Sequence, residues 1–357
     1  MTSKKWFAGV LAMITLLAFT ACSGAGSSSV TQGGSVSLDV AAHSVPPAGS
    51  APTEGPQATE GTVRVAGLKG PTTMGMVRLM KDAEEGLAGH RYEVEMFGTA
   101  DEIVPKLVSG EIDVAAVPAN LASVLYNNTG GGVSVAAINT LGVLYVVETA
   151  EEIQSVQDLR GRTVYSTGKG TTPEFVLNYI LTQNGLQPGT DVTIEYKSES
   201  TEVAALLAEE EGAVAVLPQP YVTGVQMQNE QVRVALDLTE EWDRVGEGSG
   251  LVTGVLVART AFLEEAPELF ADFLQEYKQS IEWVNANTAE AAELVAEYGI
   301  VEKAPVAEKA LPACNITYID GQEMQMMLQG YLQVLYDQMP ESVGGAMPDE
   351  AFYYMAP

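Results

Sequence analysis

The stretch GEIDVAAVP at residues 110–118 decides the fold class of this chain. It opens with a tight turn at Gly110 and continues as an apolar run, after which Pro118-Ala119-Asn120 begins a helical segment. A short apolar run between turn signals is typical of a buried strand. The stretch therefore predicts one strand and helix unit of a parallel α/β architecture.

The same alternation extends outward from this stretch in both directions. Upstream, TVRVAG at 62–67 predicts a strand, the turn at 69–73 leads into a helix at 74–85, and YEVEMF at 92–97 predicts a second strand before a helix at 100–109. Downstream, the sequence predicts strands at 133–139, 143–147, 161–165, 192–196, 212–217, 232–236 and 254–258, and helices at 174–184 and 202–210. From 266 the chain is predicted to be helical almost to its end. The two halves loosely repeat one another.

Composition and charge exclude several classes of function. The 357 residues are enough for two lobes, and 18 Lys and Arg against 47 Asp and Glu give a net charge of -29. Nucleic acid is excluded as a partner because its recognition depends on basic residues that neutralise phosphates. Two histidines and two cysteines, widely spaced, exclude a Cys/His zinc site, so we expect no metal and no cofactor.

The first 60 residues predict export and attachment to a membrane. Lys4 and Lys5 precede an apolar run at 6–19, which predicts a signal peptide over residues 1–21. Phe19-Thr20-Ala21-Cys22 resembles the bacterial lipobox, which implies a lipid on Cys22. Residues 22–60 are rich in Ser, Gly and Pro and predict a flexible tether. The alternatives are an ordinary secreted protein and a transmembrane anchor, for which the apolar run is short.

Three phrases in a fixed order carry a resemblance to a known family. GEIDVA at 110–115, DLRGRTV at 158–164 and GAVAVLPQP at 212–220 follow one another behind the lipobox. In this order they resemble the solute-binding proteins of bacterial ABC importers, in the group that handles nitrate, alkanesulfonates and thiamine-pyrimidine precursors. Gln219 stands where many relatives have Glu.

The resemblance implies the type 2 periplasmic-binding-protein fold, an α/β fold of two lobes with a ligand cleft between them. Lobe 1 is expected to comprise residues 61–142 and 253–357, and lobe 2 residues 143–252. The implied partners are a small solute and the subunits of an ABC permease, and the chain is expected to be an extracytoplasmic monomer.

Two Gly/Thr-rich loops, one in each half, are the first candidates for the binding site. Ligands of open α/β sheets bind beyond the carboxyl ends of the strands, and each loop there precedes a helix whose first N–H groups lack partners. The loops would bracket an anionic or polar ligand through Pro71, Thr72, Thr73, Met74, Thr167, Gly170, Thr171 and Thr172. Alternatively, the threonines only cap their own helices.

Uncharged hydrogen-bonding groups and tyrosines at other strand ends are further candidates. Asn120, Asn139, Thr140 and Gln219 each follow or end a predicted strand. Such amides can hydrogen-bond to the donor and acceptor groups of a heterocycle. Tyr165, Tyr145 and Tyr221 offer ring faces on which a heterocycle could stack, unless these tyrosines pack in the core. We therefore expect a small heterocycle such as a thiamine-pyrimidine precursor. Nitrate or a sulfonate is the alternative, which the acidic charge disfavours.

Two other classes of function compete with a transport receptor. An enzyme of the same fold would need an acid, a base or a nucleophile in the cleft, but His43 lies in the predicted tether and His90 between a helix and a strand. The sequence therefore predicts no catalytic residues. A sensory module that presents the same domain to a receptor stays open.

Overall fold

The computed structural model describes residues 61–246 and 249–356. The predicted signal peptide, the tether and Cys22 lie outside these residues. Within them, no helix is both long and apolar enough to cross a lipid bilayer.

Strands and helices alternate along most of the described chain. The strands are β1 (Thr62–Leu68), β2 (Arg91–Phe97), β3 (Val114–Pro118), β4 (Val133–Thr140), β5 (Leu144–Glu148), β6 (Thr163–Ser166), β7 (Thr193–Tyr196), β8 (Val214–Pro218), β9 (Arg233–Asp237), β10 (Gly254–Arg259) and β11 (Ile316–Ile319). The helices are α1 (Pro71–Met74), α2 (Val77–Glu84), α3 (Ala100–Ser109), α4 (Ala119–Thr129), α5 (Thr172–Gln183), α6 (Ser200–Glu209), α7 (Tyr221–Gln228), α8 (Leu238–Val245), α9 (Thr260–Glu265), α10 (Pro267–Ala286), α11 (Thr288–Glu297), α12 (Ala304–Ala310) and α13 (Gly321–Gln338).

The strands form two sheets, which define two lobes. The sheet of lobe 1 has the order β11-β4-β10-β3-β1-β2, and that of lobe 2 has the order β7-β6-β8-β5-β9. In each sheet an antiparallel strand, β10 or β5, lies between two strands that run in the opposite direction, and in lobe 1 the edge strand β11 is also antiparallel to β4. This is the two-lobe α/β fold that the resemblance implies. The predicted boundaries at 142/143 and 252/253 fall between β4 and β5 and between α8 and β10, and they remain a proposal.

The internal repeat is visible in the strand order. The units β1-α2-β2-α3-β3-α4-β4 and β6-α5-β7-α6-β8-α7-β9 occupy equivalent places in the two sheets. In both units the antiparallel strand is inserted between the third and fourth parallel strands. The carboxyl ends of equivalent strands are therefore available at one edge of each sheet.

Helix α13 connects the cores of the two lobes. Its buried side chains Met324, Leu328 and Tyr331 share a hydrophobic cluster with strands of lobe 1 and with Trp242 of lobe 2. The Trp242 ring centroid lies 5.5 Å from that of Tyr331 and 4.9 Å from that of Tyr179 on α5. The carboxyl-terminal part of the chain therefore packs against both lobes.

Asp113 of the GEIDVA phrase forms structural ion pairs with two arginines. Its carboxylate is almost fully buried and accepts hydrogen bonds from Arg64 at 2.6 and 2.8 Å and from Arg259 at 2.7 Å. Burial opposes ionisation of this carboxyl group, but the hydrogen bonds from both arginines outweigh it and lower the pKa of Asp113. The phrase thus ties β1, β3 and β10 together at the edge opposite the strand carboxyl ends.

Two predicted helical segments differ from the structure. The helix predicted at 74–85 is divided into α1 and α2 at Gly75, where an added Cβ would lie 2.7 Å from the Ile281 side chain. The long helical region predicted from 266 is divided into the four helices α10 to α13 and contains β11. Asn315, at a φ of 45°, turns the chain into this strand.

Candidate functional site

The carboxyl ends of the parallel strands bring the predicted loops to one edge of each sheet. In lobe 1, Gly254 at the start of β10 pairs with Pro118 on one side and with Thr140 on the other. In lobe 2, Leu144 pairs with Pro218, and Tyr145 with Asp237. Loops that follow these strand ends carry most of the candidate side chains.

Asn120 joins the two lobes directly. Its Nδ2 lies 3.5 Å from the carbonyl oxygen of Gly170 and 3.2 Å from that of Ser342, while its Oδ1 accepts from Thr172 Oγ1 at 3.5 Å. The Tyr331 hydroxyl donates to the same Thr172 oxygen at 3.5 Å. Asn120, Gly170 and Thr172, three residues predicted separately, thus form one group of neutral polar contacts between the lobes.

A second group surrounds Gly254 in lobe 1. A Cβ placed on Gly254 would lie 2.6 Å from Thr72 Cγ2, 2.7 Å from Asn139 Oδ1 and 3.2 Å from Thr140 Cβ. Asn139 Nδ2 lies 3.5 Å from the carbonyl oxygen of Thr72, and its Oδ1 accepts from Thr140 Oγ1 at 3.0 Å. The structure therefore brings Thr72, Asn139 and Thr140 together, and it leaves no room for a side chain between them.

The rest of the loop in lobe 1 serves the core. Thr73 is buried and its hydroxyl donates to Leu68 O at 2.6 Å, while Met74 is buried with its Sδ 3.9 Å from Cys314 Sγ. Pro71 is the first residue of α1, which has only four residues. This helix is too short to supply the N-terminal dipole that the sequence predicts for lobe 1.

The other candidates in lobe 2 have local partners. Thr171 Oγ1 donates to Gly168 O at 2.7 Å, and Thr167 Oγ1 lies 3.4 Å from Ser200 Oγ. Gln219 Oε1 accepts from both the backbone and the hydroxyl of Thr223, at 3.3 and 2.9 Å.

The side chain of Tyr165 forms no hydrogen bond with the other candidate residues among those that the structure describes. Its hydroxyl donates to Glu210 at 3.0 Å, and Lys197 Nζ lies 5.1 Å from its ring centroid. Glu210 follows the end of α6, just before β8 begins, so the hydroxyl points toward the opposite edge of the sheet. The hydrogen bond to Glu210, followed by burial, raises the pKa of Tyr165.

Charged groups of both signs lie near the interlobe contacts. Glu174, on the first turn of α5, accepts from the Gly170 N–H at 2.5 Å, and half-buried Asp237 accepts from Thr239 N at 2.8 Å. Burial, together with Asp237 and Cys314, raises the pKa of Tyr145 to about 12. Lys69 and Lys169 are exposed beside the two loops. The interlobe contacts themselves consist of hydroxyls, amides and backbone groups.

Several residues of this region were missed by the sequence analysis. Ser342 and Tyr331 contact Asn120 and Thr172 from more than 150 positions away, and no local pattern marks them. Asp237 and Glu174 could have been identified from the sequence, because each is an acidic residue at the start of a helix. Neither of them is among the sequence-predicted site residues.

A surface cavity of about 520 Å³ lies elsewhere, between α2 and α10 on lobe 1. Most of its charged groups are paired with one another, since Arg78 bonds Asp82 at 2.6 Å and His90 lies 3.0 Å from Asp272. The remaining carboxylate, that of Glu276, accepts from the Gly89 N–H at 3.1 Å. None of the predicted site residues lines it. We therefore place the candidate site at the strand ends, where both lobes contribute polar groups.

Comparison with known proteins gives a consistent result. Residues 74–310 match the family model described as ABC transporter, phosphonate, periplasmic substrate-binding protein. No curated protein matches the chain significantly.

Solved structures share the fold over most of the chain. An ABC transporter structure from Parabacteroides distasonis superposes with a TM-score of 0.69 at 22% identity, covering 83% of this chain and 99% of that one. The periplasmic aliphatic sulphonate-binding protein SsuA of Escherichia coli gives 0.66 at 17% identity, covering 83% and 92%. The alkanesulfonate-binding protein SsuA of Xanthomonas axonopodis pv. citri, bound to MOPS, gives 0.63 at 15% identity, covering 82% and 96%.

Proposed function

The chain belongs to the family of ABC-transporter, phosphonate-type periplasmic substrate-binding proteins, and from this premise we propose that it captures a small phosphonate or sulfonate between its lobes for delivery to an ABC permease. The family consists of binding proteins rather than enzymes, and its periplasmic description supports an extracytoplasmic location. The observation that carries the proposal is the group formed by Asn120, Gly170 and Thr172, in which polar groups of both lobes meet at the strand carboxyl ends.

The chemistry of this group favours an oxyanion over a heterocycle. The amides of Asn120, Asn139 and Gln219, on which the expectation of a pyrimidine rested, have partners within the protein. The hydroxyls of Thr72 and Thr172, together with the Thr172 N–H at the start of α5, are donors that suit the oxygens of a phosphonate or sulfonate. The names of the family and of two structural relatives support the same ligand class. The pyrimidine precursor remains the competing ligand in the test.

Titration calorimetry of the purified protein tests the ligand class. We expect methylphosphonate or methanesulfonate to bind, and an aminopyrimidine not to bind. Replacing both Thr72 and Thr172 by alanine should weaken anion binding by about tenfold or more, since each lost hydroxyl contact is worth about 1 kcal/mol.

The control is the double variant Thr163→Ala with Thr193→Ala. These exposed threonines pair with each other at the opposite edge of the lobe 2 sheet, so anion affinity should stay unchanged. Binding of the aminopyrimidine alone would overturn the proposed ligand class. Equal affinity of the Thr72/Thr172 variant and the wild type would move the site elsewhere.

We also propose that a lipid on Cys22 attaches the protein to the cell membrane. In cells that express the protein, a radiolabelled fatty acid should be incorporated into the wild type and into Cys314→Ser, but not into Cys22→Ser. The Cys22→Ser protein should also leave the membrane fraction. Retention of both the label and the membrane association by Cys22→Ser would contradict the anchor.

A further inference from the structure

Glu174 places a negative charge at the loop of lobe 2 that contacts lobe 1. Its Oε2 accepts from the Gly170 N–H at 2.5 Å, and the carbonyl of the same Gly170 lies 3.5 Å from Asn120 Nδ2. Burial, with a further contribution from the nearby charge of Glu174, raises the pKa of Tyr196 on β7. The carboxylate therefore lies between a backbone donor of the loop and a tyrosine of the neighbouring strand.

Other carboxylates of the fold also accept backbone N–H groups at the start of a helix or turn. Glu102 accepts from Gly98 N and Thr99 N at the start of α3, and Asp158 accepts from Gln154 N and Ser155 N before β6. Capping carboxylates stabilise a helix start because its first N–H groups lack partners. Glu174 differs from these two carboxylates, because it accepts from Gly170, one residue before the N-cap Thr171, and α5 then begins with Thr172 of the interlobe contacts.

A carboxylate in this place has a consequence for an anionic ligand. The N-terminus of a helix carries about half a positive charge, and the negative charge of Glu174 opposes it. An anion at this loop is therefore repelled by Glu174, and a doubly charged anion feels twice the repulsion of a singly charged one.

We propose that Glu174 sets the charge selectivity of the site, favouring singly charged oxyanions over doubly charged ones. The inference rests on the proposed function, because it assumes an oxyanion at the start of α5. Methanesulfonate and methylphosphonate have the same tetrahedral shape with three oxygens. At pH 8.5 methanesulfonate carries one negative charge, and methylphosphonate carries mostly two.

The experiment measures both dissociation constants by calorimetry at pH 8.5 for the wild type, Glu174→Gln and Asp158→Asn. The wild type should bind methanesulfonate more tightly than methylphosphonate by about tenfold. Glutamine keeps an oxygen that accepts from Gly170 but removes the charge, so this ratio should fall by about fivefold or more in Glu174→Gln. Asp158→Asn removes a capping carboxylate near Gly161, before β6 begins and at the opposite edge of the same sheet, and should leave the ratio unchanged.

The outcomes separate the inference from the proposed function. An unchanged ratio in Glu174→Gln, with both anions bound, would overturn the role of Glu174 and leave the oxyanion site standing. An equal fall of the ratio in Asp158→Asn would also overturn the role of Glu174, because loss of a negative charge anywhere on the lobe would then explain the change in selectivity. Failure of every protein to bind either anion would overturn the proposed ligand class and the inference with it.

Discussion

Replacing Asp113 by alanine is expected to lower the free energy of unfolding by about 3 to 5 kcal/mol. The carboxylate is almost fully buried between the guanidinium groups of Arg64 and Arg259, so its removal leaves two positive charges without their shared partner. Urea unfolding followed by circular dichroism, with the slope compared between variants, measures the loss.

The control is Asp82→Ala. Asp82 holds Arg78 through two hydrogen bonds of 2.6 and 3.0 Å on the surface of α2, and exposed pairs contribute about 0 to 1 kcal/mol. Similar losses in the two variants would contradict the special role of burial at Asp113.

The contribution of Asp113 also has a defined dependence on pH. Its pKa is lower in the folded protein than in the unfolded chain, so the stabilisation is complete above the unfolded value of about 4 and is lost as the pH falls through the folded value. The difference in stability between the wild type and Asp113→Ala should therefore shrink in acid. A difference that grew below pH 4 would contradict this sign.

Replacing Trp242 by alanine should be comparably destabilising, by about 3 to 5 kcal/mol. The indole is fully buried between Tyr179 and Tyr331, and its Nε1 donates to Ser249 O at 2.9 Å. The loss should come from the cavity left between α5, α8 and α13, and differential scanning calorimetry measures it.

The variant Trp242→Phe separates packing from hydrogen bonding at this position, and Trp283→Ala serves as a surface control. Trp242→Phe fills most of the space but loses the bond to Ser249, and should cost about 1 to 2 kcal/mol. Trp283→Ala removes a half-exposed indole from the surface of α10 and should cost less than Trp242→Ala. If the two alanine variants lost the same stability, Trp242 would have no special role in holding α13 to lobe 2.

The sequence predicts the fold well because both halves repeat one simple pattern. Short apolar runs bounded by glycine predict the inner strands correctly, and the phrase at 110–118 identifies β3 and the start of α4. The phrases that carry the family resemblance are structural: Asp113 holds two arginines, and Asp158 caps the turn before β6. A pattern that recurs for structural reasons identifies a fold but does not identify its ligand.

The binding region is predicted less completely than the fold. Strand ends and loops give Asn120, Thr72, Asn139 and Thr172, because a parallel sheet brings the carboxyl ends of its strands to one edge. Local pattern does not distinguish a threonine directed at the other lobe from Thr73, which bonds Leu68 O within its own turn. It also does not reveal Ser342 and Tyr331, whose approach depends on packing over long sequence separations.

The insertion of β10 between β3 and β4 has a consequence for the order in which the sheets can form during synthesis. A chain that emerges N-terminus first presents β3 and β4 before the strand that joins them, because residues 141–253 must follow first. The strands of lobe 2, from β5 to β9, are all contained within that intervening segment. The second sheet therefore becomes complete while the first still has unpaired edges, and those edges need protection from aggregation until the last third of the chain arrives.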